Sequence, residues 1–166
     1  MDKITLNKFI LVCIPIVILI IPPIIKTSLG PDEITYINIG ERLIYEGIYE
    51  HFKGHPFTAI LVASINSILE NPLRSYQLIY YFFSVLSYFG ILLIVKELNG
   101  NQKVGFLGSL LICLCPATYF LGLYAITHII YNGFLGFYIL FLLRAVKHHD
   151  SSQIKNFMIA SIFGFF

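Results

Sequence analysis

Charged residues are scarce in this chain of 166 residues. Only 12% of them are Asp, Glu, Lys or Arg, whereas an average soluble domain is about a quarter charged. The hydrophobic fraction is 57% and the mean hydropathy is +0.81. A soluble protein so rich in Ile, Leu and Phe would expose large apolar patches and aggregate. The composition therefore predicts an integral membrane protein and disfavours a soluble protein with a very apolar core.

Basic runs and a cysteine framework are also lacking. The net charge is only +2 and no basic run is interleaved with aromatic residues, which excludes nucleic acid as a partner. The three cysteines, Cys13, Cys113 and Cys115, all lie in apolar segments. The Cys113-x-Cys115 pair is either half of a metal site or two small buried side chains. The second interpretation is favoured because no further Cys/His pair accompanies it.

Long apolar runs dominate the sequence. A spanning helix needs about 20 mostly apolar residues. Four runs have about this length, namely 8–25, 76–95, 104–123 and 129–146. A fifth apolar run, 157–166, is about half as long. Because a helix that ends inside the bilayer leaves carbonyl groups without partners, we expect the chain to be a truncated piece of a longer protein. The predicted fold is all-α, a polytopic transmembrane bundle of about four full spans and a truncated fifth.

Two segments leave the topology open. The run 57–70 is apolar but has only 14 residues, a length that favours an interfacial or re-entrant helix over a span. The run 8–25 resembles a signal peptide, although its apolar core is long and no A-x-A-like site follows. If 57–70 does not span and the N-terminus is cytoplasmic, loop 26–75 is extracytoplasmic and Lys and Arg concentrate on the cytoplasmic side, as in most membrane proteins. We therefore expect an integral protein of the cell (plasma) membrane with this orientation.

The first outer loop opens with the stretch GPDEITYINIGERLIYEG, residues 30–47. Apolar residues recur at helical spacing from Ile34 to Ile44, which predicts an amphipathic helix on the membrane surface. Asp32 is the predicted N-terminal cap and Gly47 the predicted stop. We expect its acidic side chains, Glu33 included, to lie near water.

Adjacent carboxylates at the end of a membrane helix suit two kinds of chemistry. They can hold a divalent metal cation, or one of them can remove a proton from a hydroxyl nucleophile. In the alternative interpretation Asp32 is only a helix cap and Glu33 is a solvated acid of the first turn. The spacing by itself does not decide between these interpretations.

An ordered set of features extends beyond this pair. After the acidic Asp32-Glu33 come Gly47-x-Tyr49, then His55-Pro56 before an apolar helix, then a span that ends in Lys96-Glu97-Leu98. A third span ends near Cys115-Pro116, and a short outer turn, Tyr124-Ala125-Ile126-Thr127-His128, precedes the fourth. In this order the chain resembles the start of the GT-C superfamily of membrane glycosyltransferases, in the branch of the protein O-mannosyltransferases and aminoarabinose transferases.

The resemblance implies that the enzyme moves a sugar from a polyprenyl-phosphate carrier to an acceptor on the extracytoplasmic face. It implies catalytic roles for Asp32 and Glu33, with one of them as general base or organiser of the acceptor. Arg42 and His55 are the expected contacts of the donor. This chain has His128 where the family commonly has an acidic residue, so His128 is the candidate ligand of a divalent metal cation. The resemblance further implies that this portion is inactive alone.

A second interpretation is a small non-enzymatic polytopic membrane subunit that serves as an assembly or transport partner. In it the acidic loop contacts another protein. The interiors of the predicted spans contain no Asp, Glu, Lys or Arg, which argues against a transporter. A natural stop codon after Phe166 with a stable, functional product would favour this interpretation.

Overall fold

The computed structural model describes residues 12–47, 56–98, 100–115, 126–147 and 152–165. Of these residues 89% are helical and none is in a strand, so the described chain is all-α, as expected. The helices are α1 (12–18), α2 (Ile21–Ile25), α3 (Pro31–Glu46), α4 (Pro56–Leu69), α5 (Pro72–Glu97), α6 (Gln102–Leu114), α7 (Ile126–Lys147) and α8 (Ser152–Phe165).

Local sequence rules account for several helix ends. Proline is the first residue of α3, α4 and α5, where its missing N–H costs nothing. The Asn71 side chain accepts the N–H of Arg74 at 3.0 Å and so caps α5. Helix α3 ends at Gly47, whose φ of 66° is left-handed, as the sequence predicted. The predicted cap Asp32 was wrong, because Gly30 is the N-cap residue and the Glu33 carboxylate accepts the Gly30 N–H at 2.7 Å.

Two helices in the described part of the chain are long and apolar enough to cross a membrane, namely Pro72–Glu97 and Thr127–Lys147. They correspond to the predicted runs 76–95 and 129–146. Only 39% and 33% of their most apolar windows are buried inside the protein, whereas the core helix of a soluble protein is mostly buried. Both helices therefore favour a membrane protein.

The described residues of the other predicted spans form shorter helices, so the described chain has fewer full-length candidate spans than the four expected. The run 8–25 contains α1 and α2 with a turn at residues 19 and 20, and its first four residues lie outside the described chain. The run 104–123 contains α6, while 116–123 lie outside the described residues. Helix α4 covers residues 57–69 of the short run 57–70, and α8 covers 157–165 of the run 157–166, whose last residue lies outside the described chain.

Helices α5 and α7 run in the same direction. Phe83 packs against Phe134 with ring centroids 5.3 Å apart. Farther along, a Cβ on Gly90 would lie 3.0 Å from the Gly136 Cα. At the C-terminal end, Arg144 Nε lies 2.9 Å from Glu97 Oε2. The contacts thus advance together along both helices.

Helix α6 runs opposite to α5. Gly105, near the start of α6, lies against Val95 near the end of α5. Cys113, near the end of α6, has its Sγ 3.8 Å from the carbonyl oxygen of Ser84. The described chain therefore goes along α5, turns back along α6 and advances again along α7.

A buried apolar cluster gathers four helices at one end of the bundle, which we name the α3 end. It contains residues of α3, α4 and the N-terminal halves of α5 and α7. Its members are Ile37, Val62, Tyr76, Ile79, Tyr80, Phe83, Ile129 and Ile130. Ile37 belongs to the apolar face of α3 that was expected to enter the headgroup region. Because Ile37 is buried against protein, part of this face packs on α4 and α5.

Candidate active site at the start of α3

A buried ion pair joins the end of α2 to the first turn of α3. Lys26 Nζ lies 2.7 Å from Glu33 Oε1, and the two side chains are only 8% and 2% exposed. Removing two charges from water is costly unless each finds good partners. The second carboxylate oxygen, Oε2, accepts the N–H of Gly30. Glu33 is thus engaged at both oxygens, and the expectation that it lies near water was wrong.

Two consecutive residues of α5 donate hydrogen bonds to backbone oxygens at both ends of the connection between α2 and α3. The Tyr76 hydroxyl donates to the carbonyl oxygen of Glu33 at 2.7 Å. The Gln77 amide nitrogen donates to the carbonyl oxygen of Lys26 at 2.9 Å. Tyr76 is 1% exposed, so its bond to Glu33 is sheltered from water and is stronger for that reason. The link between α2 and α3 is therefore fastened to the first turns of α5.

Asp32 differs from its neighbour in being exposed. It is the second residue of α3, where a carboxylate is stabilised by the helix dipole. The structure therefore separates the two adjacent carboxylates: Glu33 points into the protein and is paired, while Asp32 is accessible to a solute. Of the two, Asp32 has the exposure that a general base needs in order to meet a hydroxyl group.

Arg42 lies farther along the same helix. It is ten residues after Asp32, which is about 15 Å along the helix axis. Its Nε lies 3.4 Å from Glu46 Oε2, in a pair that is about half exposed. The structure therefore does not bring Arg42 next to Asp32. On α4, Asn66 donates to Glu41 Oε1 at 3.2 Å, which ties the middle of α3 to its neighbour.

The two predicted histidines have different outcomes. His55 lies outside the described residues, directly before α4 begins at Pro56. His128 is exposed near the start of α7. Its neighbours Ile129 and Ile130 belong to the cluster at the α3 end, so His128 and Asp32 are at the same end of the bundle. Across the described ranges, no three His, Cys, Asp or Glu side chains form a group that could hold a metal ion.

Sequence reasoning missed three residues of this site, namely Lys26, Tyr76 and Gln77, and placed Lys26 only at the start of the outer loop 26–75. No helical or strand periodicity links Lys26 to Glu33, since residues 26–30 between them are not helical. The one available signal was a lone Lys and a lone Glu flanking a Gly-Pro break. Such a pair predicts a contact only once the path of residues 26–30 between α2 and α3 is known.

Comparison with known proteins gives no match of this chain to a family model, to a curated protein or to a solved structure. The resemblance to the GT-C superfamily therefore stays a prediction carried by the residues quoted for it.

Proposed function

We propose that this chain is the N-terminal portion of a membrane glycosyltransferase that moves a sugar from a polyprenyl-phosphate carrier to an acceptor on the extracytoplasmic face. The observation that supports it best is the pair of adjacent carboxylates with separate environments at the α3 end. Asp32 is exposed, whereas Glu33 is 1% exposed and bound to Lys26. An accessible carboxylate on a rigid support is what a general base requires.

The direction of the helices supports a polytopic arrangement. If α5 and α7 both span the membrane, their parallel course requires the chain between them to cross back. Helix α6 runs in that return direction, as its contacts with Ser84 and Val95 indicate. A crossing within 104–123 is therefore part of the proposal, and so are the span in 8–25 and the partial one in 157–166.

The charges support the proposed orientation. Lys96, Arg144 and Lys147 lie at the end of the bundle opposite to α3, where α5 and α7 finish. Lys and Arg concentrate on the cytoplasmic side of membrane proteins. In the proposal that end is cytoplasmic, the N-terminus is cytoplasmic too, and Asp32 is on the extracytoplasmic face of the cell membrane.

The proposed chemistry assigns the proton transfer to Asp32. Its carboxylate accepts the proton of the acceptor hydroxyl as that oxygen forms the glycosidic bond and the bond from sugar carbon to phosphate breaks. The departing phosphate carries negative charge and needs a cation. Arg42 and His55 are the proposed contacts of the donor. Because Arg42 lies about 15 Å along α3 from Asp32, it contacts a part of the donor that is distant from the general base.

A divalent metal cation, with His128 as one ligand, is the other proposed source of positive charge. In the described residues His128 is not accompanied by two further ligands of the usual kinds, so these residues alone do not fit a metal site. We derive no step through a metal. Transfer that survives a chelator would agree with this, and loss of transfer restored by Mg²⁺ or Mn²⁺ would bring the metal back.

The non-enzymatic subunit has one observation in its favour. Large apolar side chains are exposed on α3 and α4, among them Tyr45 at 72% and Ile68 at 79%. Exposed apolar surface on the outer side suits a contact with a partner protein. Such a subunit would tolerate loss of the Asp32 carboxylate, so the same substitution separates the two proposals.

The test uses the protein expressed from its complete gene and kept in native membranes. Synthetic farnesyl-phosphate-linked mannose, glucose and pentose serve as donors, and transfer is followed by mass spectrometry of the extracytoplasmic products. Asp32→Asn is expected to abolish transfer and to leave membrane insertion intact. Glu70→Gln is the matched control, because Glu70 is an exposed acid on the same proposed face. Full transfer by Asp32→Asn would contradict the catalytic assignment.

A further inference from the structure

We infer that Lys26 is a positioning residue of this site, and that Glu33 acts together with it on Asp32 and not directly on the acceptor. The effect of Lys26 on catalysis rests on the proposed function, in which Asp32 is the general base. The effect of Lys26 on the structure of α3 depends only on the buried Lys26–Glu33 pair.

The positive charge of Lys26 is committed to the protein interior. Its side chain is 8% exposed and its ammonium group lies 2.7 Å from the Glu33 carboxylate. A lysine placed this way does not serve as a free counter-ion for the phosphate of a donor. It serves to keep a carboxylate buried, because an isolated carboxylate would leave the interior for water.

The pair determines the geometry of the first turn of α3. Only residues 27–30 lie between Lys26 and the start of α3. The backbone oxygens of Lys26 and Glu33 are both bound by α5, through Gln77 and Tyr76. Asp32 directly precedes Glu33. The contacts that hold Glu33 therefore also fix the backbone from which the Asp32 side chain projects.

The pair behaves as a unit if this reasoning holds. Lys26→Met removes the cation that lies 2.7 Å from the buried Glu33 carboxylate, and Glu33→Gln removes the negative charge that faces the buried Lys26 ammonium group. The double variant removes both charges, and the Gln side-chain oxygen can still accept the Gly30 N–H. It should therefore retain the first turn better than either single variant, which is the signature of coupling between residues in contact.

The structural part is tested by electron paramagnetic resonance on the complete protein in lipid nanodiscs. A nitroxide is attached at Asp32→Cys in a background in which Cys13, Cys113 and Cys115 are alanine. Each single variant is expected to raise the mobile fraction of the spectrum at least about threefold. In the double variant the mobile fraction should be close to that of the parent protein. Lys96→Met and Glu70→Gln are charge controls at exposed positions and should leave the spectrum unchanged.

Additive effects, or single variants with the spectrum of the parent, would overturn the inference. Should Lys26→Met fail to accumulate in membranes, the comparison of Glu33→Gln with the double variant applies the same test. Lys26→Arg keeps the charge and is expected to keep the immobile spectrum.

The catalytic part is tested with Asp32 intact and the farnesyl-phosphate donors. Lys26→Met is expected to lower kcat about tenfold or more, as misplacement of a catalytic group does. The KM for the donor should stay unchanged, and Lys26→Arg should recover kcat. An unchanged kcat in Lys26→Met would overturn the positioning role. If the unmodified protein transfers no sugar while the spectra show coupling, the proposed function fails and the structural inference stands.

Discussion

The contact between α3 and α4 gives a stability prediction that follows directly from the structure. A Cβ on Gly40 would overlap the carbonyl oxygen of Ala59 and would lie 2.7 Å from its carbonyl carbon. Real Cβ atoms essentially never lie within 3.0 Å of such a neighbour, so the two helices must separate locally. Because Ala59 contributes backbone atoms here, no side-chain rotation can relieve the clash.

Two opposing terms set the magnitude for Gly40→Ala. Overpacking of this kind costs about 1–3 kcal/mol, and a backbone clash favours the upper end. Alanine is a better helix former than glycine by about 1 kcal/mol, which offsets part of the cost. We expect a net loss of about 2 kcal/mol in the free energy of unfolding. The separation should also weaken the Asn66–Glu41 hydrogen bond, which is already 3.2 Å long.

Gly108→Ala is the matched control. Gly108 is also helical, in α6, but a Cβ there would have no atom within 4 Å, so only helix propensity acts and stability should rise by up to about 1 kcal/mol. Gly90→Ala should fall between the two, since its Cβ would lie 3.0 Å from Gly136. The free energies are measured by steric trapping in bicelles. Equal stability of Gly40→Ala and Gly108→Ala would refute the close packing of α3 on α4.

Three further predictions concern single contacts and topology. Tyr76→Phe removes the hydrogen bond from the Tyr76 hydroxyl to the Glu33 carbonyl and should cost about 0.5–1.5 kcal/mol of unfolding free energy, the net worth of one hydrogen bond; no change in steric trapping would contradict that bond. Glu97→Gln weakens the contact with Arg144, and because Arg144 is about one-third exposed, the expected loss is only about 1 kcal/mol. A larger loss would show that the pair is sheltered from water. Impermeant maleimide should label cysteines at Glu70 and at Asn99 from opposite faces of the membrane, and same-side labelling would reject the proposed layout.

The apolar runs and the residues that mark helix ends predicted much of the fold. The runs 76–95 and 129–146 predicted the long helices α5 and α7, because twenty apolar residues in succession leave few alternatives. Gly47 was correctly predicted as the end of α3. These features depend on residues close together in the chain, which is why the sequence alone was enough.

The buried side of the candidate site depended on contacts between distant residues. Glu33 was expected near water, and the cap was assigned to Asp32, because both assignments used only local spacing. Besides the local bond with Gly30, Glu33 contacts Lys26, seven residues earlier across a non-helical connection, and Tyr76, 43 residues later in the sequence. The exposure of Asp32, in contrast, agrees with its polar position at a helix start.

The initial rate of sugar transfer by the purified complete protein in nanodiscs tests the role of Asp32 directly when Asp32→Asn is compared with Glu70→Gln. We expect Glu70→Gln to transfer sugar from farnesyl-phosphate-linked donors at the rate of the unmodified protein, and Asp32→Asn to transfer none. Equal rates for the two variants would contradict the claim that Asp32 is the base at the start of α3.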